Sequence, residues 1–352
     1  MSVSSQQTSP QQEFLDRTSP EALCCGGSGG SDSHCASDVP PTTEQIAAAL
    51  TPREGCPPPL LWQQVVAAFR EQSEQWHTET PAGRITGRAW GEGPTLVLLN
   101  GLGGSSELFA LCVYLLKLQC RCVVLDYPTD RRVSWSVFCD SIAEVVEEFA
   151  GPDGCHLFGT SFGSAVALEI ALRLGSRIQS VTLHAAFAHL HLTSFERCAA
   201  MLLRWIPGRM RSVPLWRAIQ VRSHRLWFPP IDPTRWRFYL DDAGATPIRS
   251  LARRFGMLRQ CDLRSRLSQL QVPVMSLQVE GEGETQSRCR DEIVAMIPNV
   301  RTEFFHTTGM LVFLTHPHRL AKLIREFVAS TLSCEKALSC EKQTPCVSHN
   351  PS

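Results

Sequence analysis

The stretch Cys155-His156-Leu157-Phe158-Gly159-Thr160-Ser161-Phe162-Gly163 decides how the chain folds. An apolar run of strand length, Gly154–Phe158, meets an alanine- and leucine-rich helical segment, Ser161–Leu174, with no room for a loop between them. The junction reads G-x-S-x-G. A turn this tight holds its serine in strained backbone geometry, and the small flanking residues let strand and helix pass closely. The helix N-terminus then favours negative charge developing beside Ser161.

Working outward, strands and helices alternate. Residues 60–76 read as a helix with Leu61, Val65, Ala68 and Phe69 on one face. Arg84–Trp90 reads as an edge strand, Thr95–Leu99 as a strand buried on both faces, and Glu107–Leu118 as a helix. Arg121–Asp126 follows as a strand, Ser136–Phe149 as an amphipathic helix and Gln179–His184 as a strand. The alternation pauses over about 187–262, where four tryptophans, many arginines and scattered prolines suggest an inserted helical cap. It resumes with strand Val272–Val279, helix Arg288–Met296, strand Arg301–Phe305 and a last helix near Pro317–Ser330. This order argues for an α/β class with a mostly parallel, doubly wound sheet.

The flanks differ from this body, which spans residues 59–330. Residues 1–58 are polar and rich in Ser, Gln, Gly and Pro, as a disordered tail would be. Residues 331–352 read as a low-complexity tail in which Leu-Ser-Cys-Glu-Lys occurs at 332–336 and again at 338–342. Formal net charge is zero, with 34 basic and 34 acidic residues, which gives no bulk argument for nucleic acid as a partner. The 15 cysteines show neither C-x-x-C nor zinc-finger spacing, so no metal or other cofactor is expected. No apolar run approaches the roughly 20 residues of a membrane span. These features lead to the expectation of a soluble protein in the cytoplasm.

Elbow, alternation and cap together resemble the α/β-hydrolase fold. That resemblance implies an oxyanion hole made by backbone N–H groups after the elbow serine and from the turn Asn100-Gly101-Leu102-Gly103-Gly104, hence from Phe162 and Leu102. Asn100 stands where such turns commonly carry histidine. The acid is expected after strand Val272–Val279, where the G-E-x-D register puts Glu284. The base is expected about seven residues before a proline. Counting back from Pro317 reaches Met310, which cannot take a proton from a serine hydroxyl. His306 is the nearest substitute, followed by His316 and His318, with His189 and His191 at the cap edge.

A narrower resemblance is carried by Val123-Val124-Leu125-Asp126-Tyr127-Pro128, Phe138-Cys139-Asp140-Ser141, the His156–Gly163 stretch, Ile297-Pro298-Asn299 and Thr308-Gly309. Over residues 85–330 the chain resembles the maspardin family of divergent α/β-hydrolase-fold proteins. Its members keep the elbow serine and lack a convincing triad. The resemblance implies a catalytically impaired binding or adaptor protein, cytoplasmic and associated with endosomal or Golgi membranes through protein partners. The long N-terminal tail and the glycine-rich turn depart from that family. The turn favours the alternative, a serine hydrolase of esterase or thioesterase type acting on a small acyl or ester ligand with a relocated base. The arginine-rich cap adds the option of peripheral membrane contact.

Overall fold

The computed structural model describes residues 60–342 except 130, 191–197, 199–201, 204 and 231. The N-terminal tail, the last ten residues and His191 lie outside the described residues. Helix α1 (Trp62–Gln72) precedes strands β1 (Glu74–Thr80), β2 (Gly83–Trp90) and β3 (Thr95–Leu99). Then come α2 (Ala110–Leu116), β4 (Arg121–Asp126), α3 (Trp135–Ala150), β5 (Cys155–Thr160), α4 (Phe162–Leu174) and β6 (Ile178–His184). The cap contributes α5 (Trp216–His224), α6 (Pro233–Ala245) and α7 (Ile248–Leu258). The chain returns through β7 (Val274–Val279), α8 (Glu284–Met296), β8 (Val300–Phe305) and α9 (Pro317–Lys342).

The eight strands form one sheet in the order β1-β2-β4-β3-β5-β6-β7-β8. The first two pair antiparallel and every later neighbour pairs parallel. Helices cover both faces, so the middle strands lose the inside–outside alternation of a half-exposed sheet: all six residues of β5 and four of five in β3 are buried. One core layer packs Leu157, Val181 and Leu183 against α3 and α4. The other packs Phe158, Leu98 and Met275 against α2 and α9. This is the α/β-hydrolase fold with a helical cap between β6 and β7.

The ends differ from expectation. The first helix stops at Gln72 and a further strand, β1, takes the edge place expected for β2. Its Trp76 faces Gly87 across the pair, where a Cβ would lie 2.4 Å from the indole, so the ring fills the glycine's empty place and also meets Phe149. At the other end the last helix continues beyond residue 330 to Lys342 and takes in both Leu-Ser-Cys-Glu-Lys copies.

Candidate active site

Ser161 follows β5 directly and caps α4 with φ 53° and ψ −116°, a left-handed conformation costly for any residue with a side chain. Several bonds hold it there. Its N–H donates to the His184 carbonyl at 2.9 Å, and its own carbonyl accepts from the Ser164 N–H at 2.9 Å. The Ser164 hydroxyl bridges the Gly159 and His184 carbonyls at 2.8 and 2.7 Å. The two glycines are required by packing. A Cβ at Gly163 would sit 2.1 Å from the Leu99 carbonyl oxygen, and one at Gly159 would sit 2.4 Å from that of Gly163. Phe162 is fully buried edge-on against Tyr127, which anchors the first turn of α4.

The turn 100–104 lies beside this elbow. A Cβ at Gly101 would be in ordinary contact with the Ser161 Cβ at 3.7 Å. Asn100 is buried; its amide donates to the Leu125 carbonyl and its own carbonyl accepts from Tyr127 Oη, both at 3.0 Å. Asparagine in place of histidine therefore ties the turn to β4. From the cap side, Arg254 of α7 donates to the Leu102 carbonyl at 2.6 Å, and Thr246 Oγ1 accepts from the Gly104 N–H at 2.8 Å. Asp242 of α6 accepts from both the N–H and the hydroxyl of Ser105. Two cap helices thus clamp the turn. Asp126, at the end of β4, accepts from the N–H and hydroxyl of Ser106, and burial holds its carboxyl above the usual range despite those bonds. Burial of Arg254 pushes its guanidinium the other way, below its ordinary value, against the attraction of Tyr127 and Asp126.

The acid and base loops are arranged differently from the sequence expectation. Helix α8 begins at Glu284 itself, and its side chain, 82% exposed, bonds to Arg288 one turn on. The carboxylate thus points into solvent. The inward acid is Glu282, 6% exposed, but it is ion-paired with Arg290. His306 directly follows β8, the outer strand, with its ring edge-on to Phe304 at 4.5 Å and exposed to solvent. Three strand spacings separate β8 from β5, about 14 Å of sheet. The structure sets Ser161 and Phe162 beside the Leu102 turn, while the side chains of Glu284 and His306 are exposed to solvent. His316 bonds the Thr315 hydroxyl, His189 bonds the Cys261 carbonyl, and His318 is exposed.

Two features were not foreseen. The first is Trp227 of the cap, whose indole lies on a shelf formed by Gly281 of the acid loop and Gly309 of the base loop. A Cβ at either glycine would fall 2.4 Å from the ring. The second is His184, at the end of β6 next to β5. It is fully buried, its Nδ1 lies 2.9 Å from the Thr160 hydroxyl, and its Nε2 has no hydrogen-bond partner among the described residues. Burial lowers its pKa to about 4, so the imidazole is neutral at pH 7. A histidine closing an apolar strand, Val181-Thr182-Leu183-His184, was the available signal.

A family model for the alpha/beta hydrolase family matches residues 96–323. The chain belongs to the alpha/beta hydrolase family. Among curated relatives, it is 27% identical over 266 residues to a pimeloyl-[acyl-carrier protein] methyl ester esterase of Methylococcus capsulatus, covering 68% of this chain and 97% of the relative. It is 23% identical over 247 residues to the protein of the same name from Aeromonas hydrophila, again covering 68% and 97%. Among solved structures, a thermophilic esterase from Thermogutta terrifontis superposes with a TM-score of 0.61 at 18% identity, over 73% of this chain and 99% of the esterase. As an alpha/beta hydrolase, the chain keeps the strand order and cap that set the elbow at the sheet's C-terminal edge. Among the described residues, no cluster of three or more His, Cys, Asp or Glu side chains could hold a metal. No helix of theirs is long and apolar enough to cross a membrane.

Proposed function

We propose that this alpha/beta hydrolase acts on a carboxylic ester or thioester, with Ser161 as nucleophile and the Leu102 and Phe162 amides as oxyanion donors. The observation that carries this reading is the strained φ of Ser161, held by bonds on both sides of the residue and set against the 100–104 turn. Strain of this sort costs roughly 1–3 kcal/mol and persists only where the surroundings impose it. The esterase names of the relatives point the same way. Ser161 would attack the acyl carbon, expel the alcohol or thiol, and return to its free state when water cleaves the acyl-enzyme. Proton transfer needs an imidazole within hydrogen-bond reach of the Ser161 hydroxyl. His306 would have to cross from β8, whereas His184 lies one strand from Ser161.

A second reading is the maspardin-like one, a binding or adaptor protein of the cytoplasm with little or no turnover. It is favoured by Met310 in the base register and by Trp227 lying over the glycines of both triad loops. A fluorophosphonate probe separates the two. Covalent labelling that is lost in Ser161→Ala supports the hydrolase, and His306→Ala and His184→Ala then identify the base. A folded protein that stays unlabelled supports the binder.

A further inference from the structure

Between Glu196 and Asp232 the chain contains seven arginines and no acidic residue, although the whole protein is electrically balanced. The described part of this segment is also where large apolar side chains reach solvent. Leu215 is 76% exposed, Leu226 79%, Trp205 70% and Ile219 57%, with Leu202, Ile206 and Val221 also outward. Elsewhere among the described residues only Leu60 and Leu61 adjoin; Leu118, Val137 and Phe304 stand alone. On α5, Trp216 faces inward and is buried, while Ile219 and Arg222 lie at helical spacing on its exposed side; Leu215 at its N-cap and Leu226 in the turn that follows it are exposed as well.

Leu215 itself is held at φ 63°, a conformation that leucine rarely adopts, and its side chain points away from the core. Beside it runs a shallow groove of about 650 Å³ lined by Arg211, Arg217 and Arg222 together with Val213, Leu215 and Val221. None of these three arginines forms an ion pair with a described carboxylate. The groove therefore presents guanidinium forks next to apolar tips, the two chemistries of a phospholipid headgroup and its upper acyl chain.

We propose that this outer face of the cap is a docking surface for an anionic lipid leaflet, with Leu215, Ile219 and Leu226 entering the headgroup boundary and Arg211, Arg217 and Arg222 meeting phosphates and carboxylates. Charge of one sign over 35 residues, with no carboxylate to choose a register, suits a fluid anionic surface better than a patterned protein epitope. The proposal is independent of whether Ser161 turns over substrate.

The test is co-sedimentation of the full-length protein with phosphatidylcholine vesicles, with and without about one-quarter phosphatidylserine, at about 0.1 and 0.5 M NaCl. Binding is expected only with phosphatidylserine, and should weaken with salt. Reversal of Arg211, Arg217 and Arg222 to glutamate should reduce it by about 100-fold or more. A Leu215→Ser, Ile219→Ser, Leu226→Ser variant should reduce it too, with melting behaviour unchanged in both variants. Equal binding by the folded variants would overturn the proposal, as would salt-independent binding to phosphatidylcholine alone. Failure to bind vesicles, with salt-sensitive retention on polyglutamate beads, would overturn it in favour of an acidic protein partner.

Discussion

The indole of Trp227 lies directly on Gly309: a Cβ added to that glycine would fall 2.4 Å from the ring's Cδ1. Gly309 immediately precedes Met310, the residue in the base register, so a cap side chain covers the loop on which a catalytic imidazole would be carried. Gly309→Ala should displace the indole and loosen the cap, destabilising the protein by about 1–3 kcal/mol. Trp227→Ala should leave the core folded and expose both loops. Urea denaturation followed by tryptophan fluorescence measures the first, and limited proteolysis within the cap measures the second. Unchanged stability in Gly309→Ala would mean that the indole is not held against the shelf.

The elbow gives a prediction of opposite signs at neighbouring positions. Gly163→Ala forces a methyl group into the Leu99 carbonyl at 2.1 Å between two backbones that cannot yield. It should cost several kcal/mol or abolish folding. Ser161→Gly removes a side chain from a residue at φ 53° and should stabilise the fold by roughly 1 kcal/mol, while ending probe labelling. Ser161→Ala keeps the strain and should not gain stability. Melting temperatures of the three variants decide the matter.

What could be read in advance follows from how local each signal is. Gly159 and Gly163 bracket Ser161 at fixed spacing, and the steric reason for them acts within one turn, so strand, serine and helix were all legible. Edge strand β1 was not, because Glu74-Gln75-Trp76-His77-Thr78-Glu79-Thr80 is polar on both faces and is secured by Trp76 over Gly87, a contact across the pair. The acid register failed to announce itself for a similar reason. Three glutamates alternate through 280–284, and which of them turns inward depends on α8 starting at Glu284 and on Arg290 drawing in Glu282. No spacing rule carries that information.

Two buried histidines set an acid sensitivity. Burial lowers the pKa of His184 and of His156 to about 4, below the ordinary 6.5. Above pH 6.5 neither contributes a pH dependence. As pH falls toward 4, the unfolded chain binds protons that the folded chain refuses, so stability drops, by up to about 3 kcal/mol for each. Asp126 and Asp242, raised by burial, act in the opposite sense: as pH falls through their raised folded values toward the ordinary 3.8, the folded chain takes up protons first and gains stability. The contribution of His184 is isolated by comparing wild type with His184→Gln. The slope of unfolding free energy between pH 6 and 4.5 should be shallower in the variant by about 1 kcal/mol per pH unit. Parallel slopes would mean that His184 protonates freely in the folded protein.

Arg254 acts on the oxyanion turn through the Leu102 carbonyl and stacks over the Tyr127 ring with its centre 5.2 Å from the centroid. Arg254→Gln should leave that carbonyl poorly held and remove the positive charge that favours the Asp126 carboxylate, at about 2–3 kcal/mol in stability. If Ser161 is labelled in the wild type, the rate should fall at least about tenfold, with Arg254→Lys intermediate. An Arg254→Gln protein labelled at the wild-type rate would remove the residue from any positioning role.

The base register itself can be tested by Met310→His. Loss of a triad histidine costs about 10⁶ in rate, and an imidazole without its orienting acid forfeits about 10⁴ of that. Glu282 is already committed to Arg290 and Glu284 points into solvent, so a histidine at 310 would lack such an acid. Its expected gain is therefore only about 100-fold in the rate of fluorophosphonate labelling at Ser161. The gain should disappear as pH falls through the ordinary range of histidine, because the protonated ring is no longer a base. Pairing it with Trp227→Ala should raise the rate further by clearing the indole from the neighbouring glycine. An increase that survives Ser161→Ala would come from elsewhere in the protein. No increase in a folded double variant would mean that residue 310 does not reach the serine.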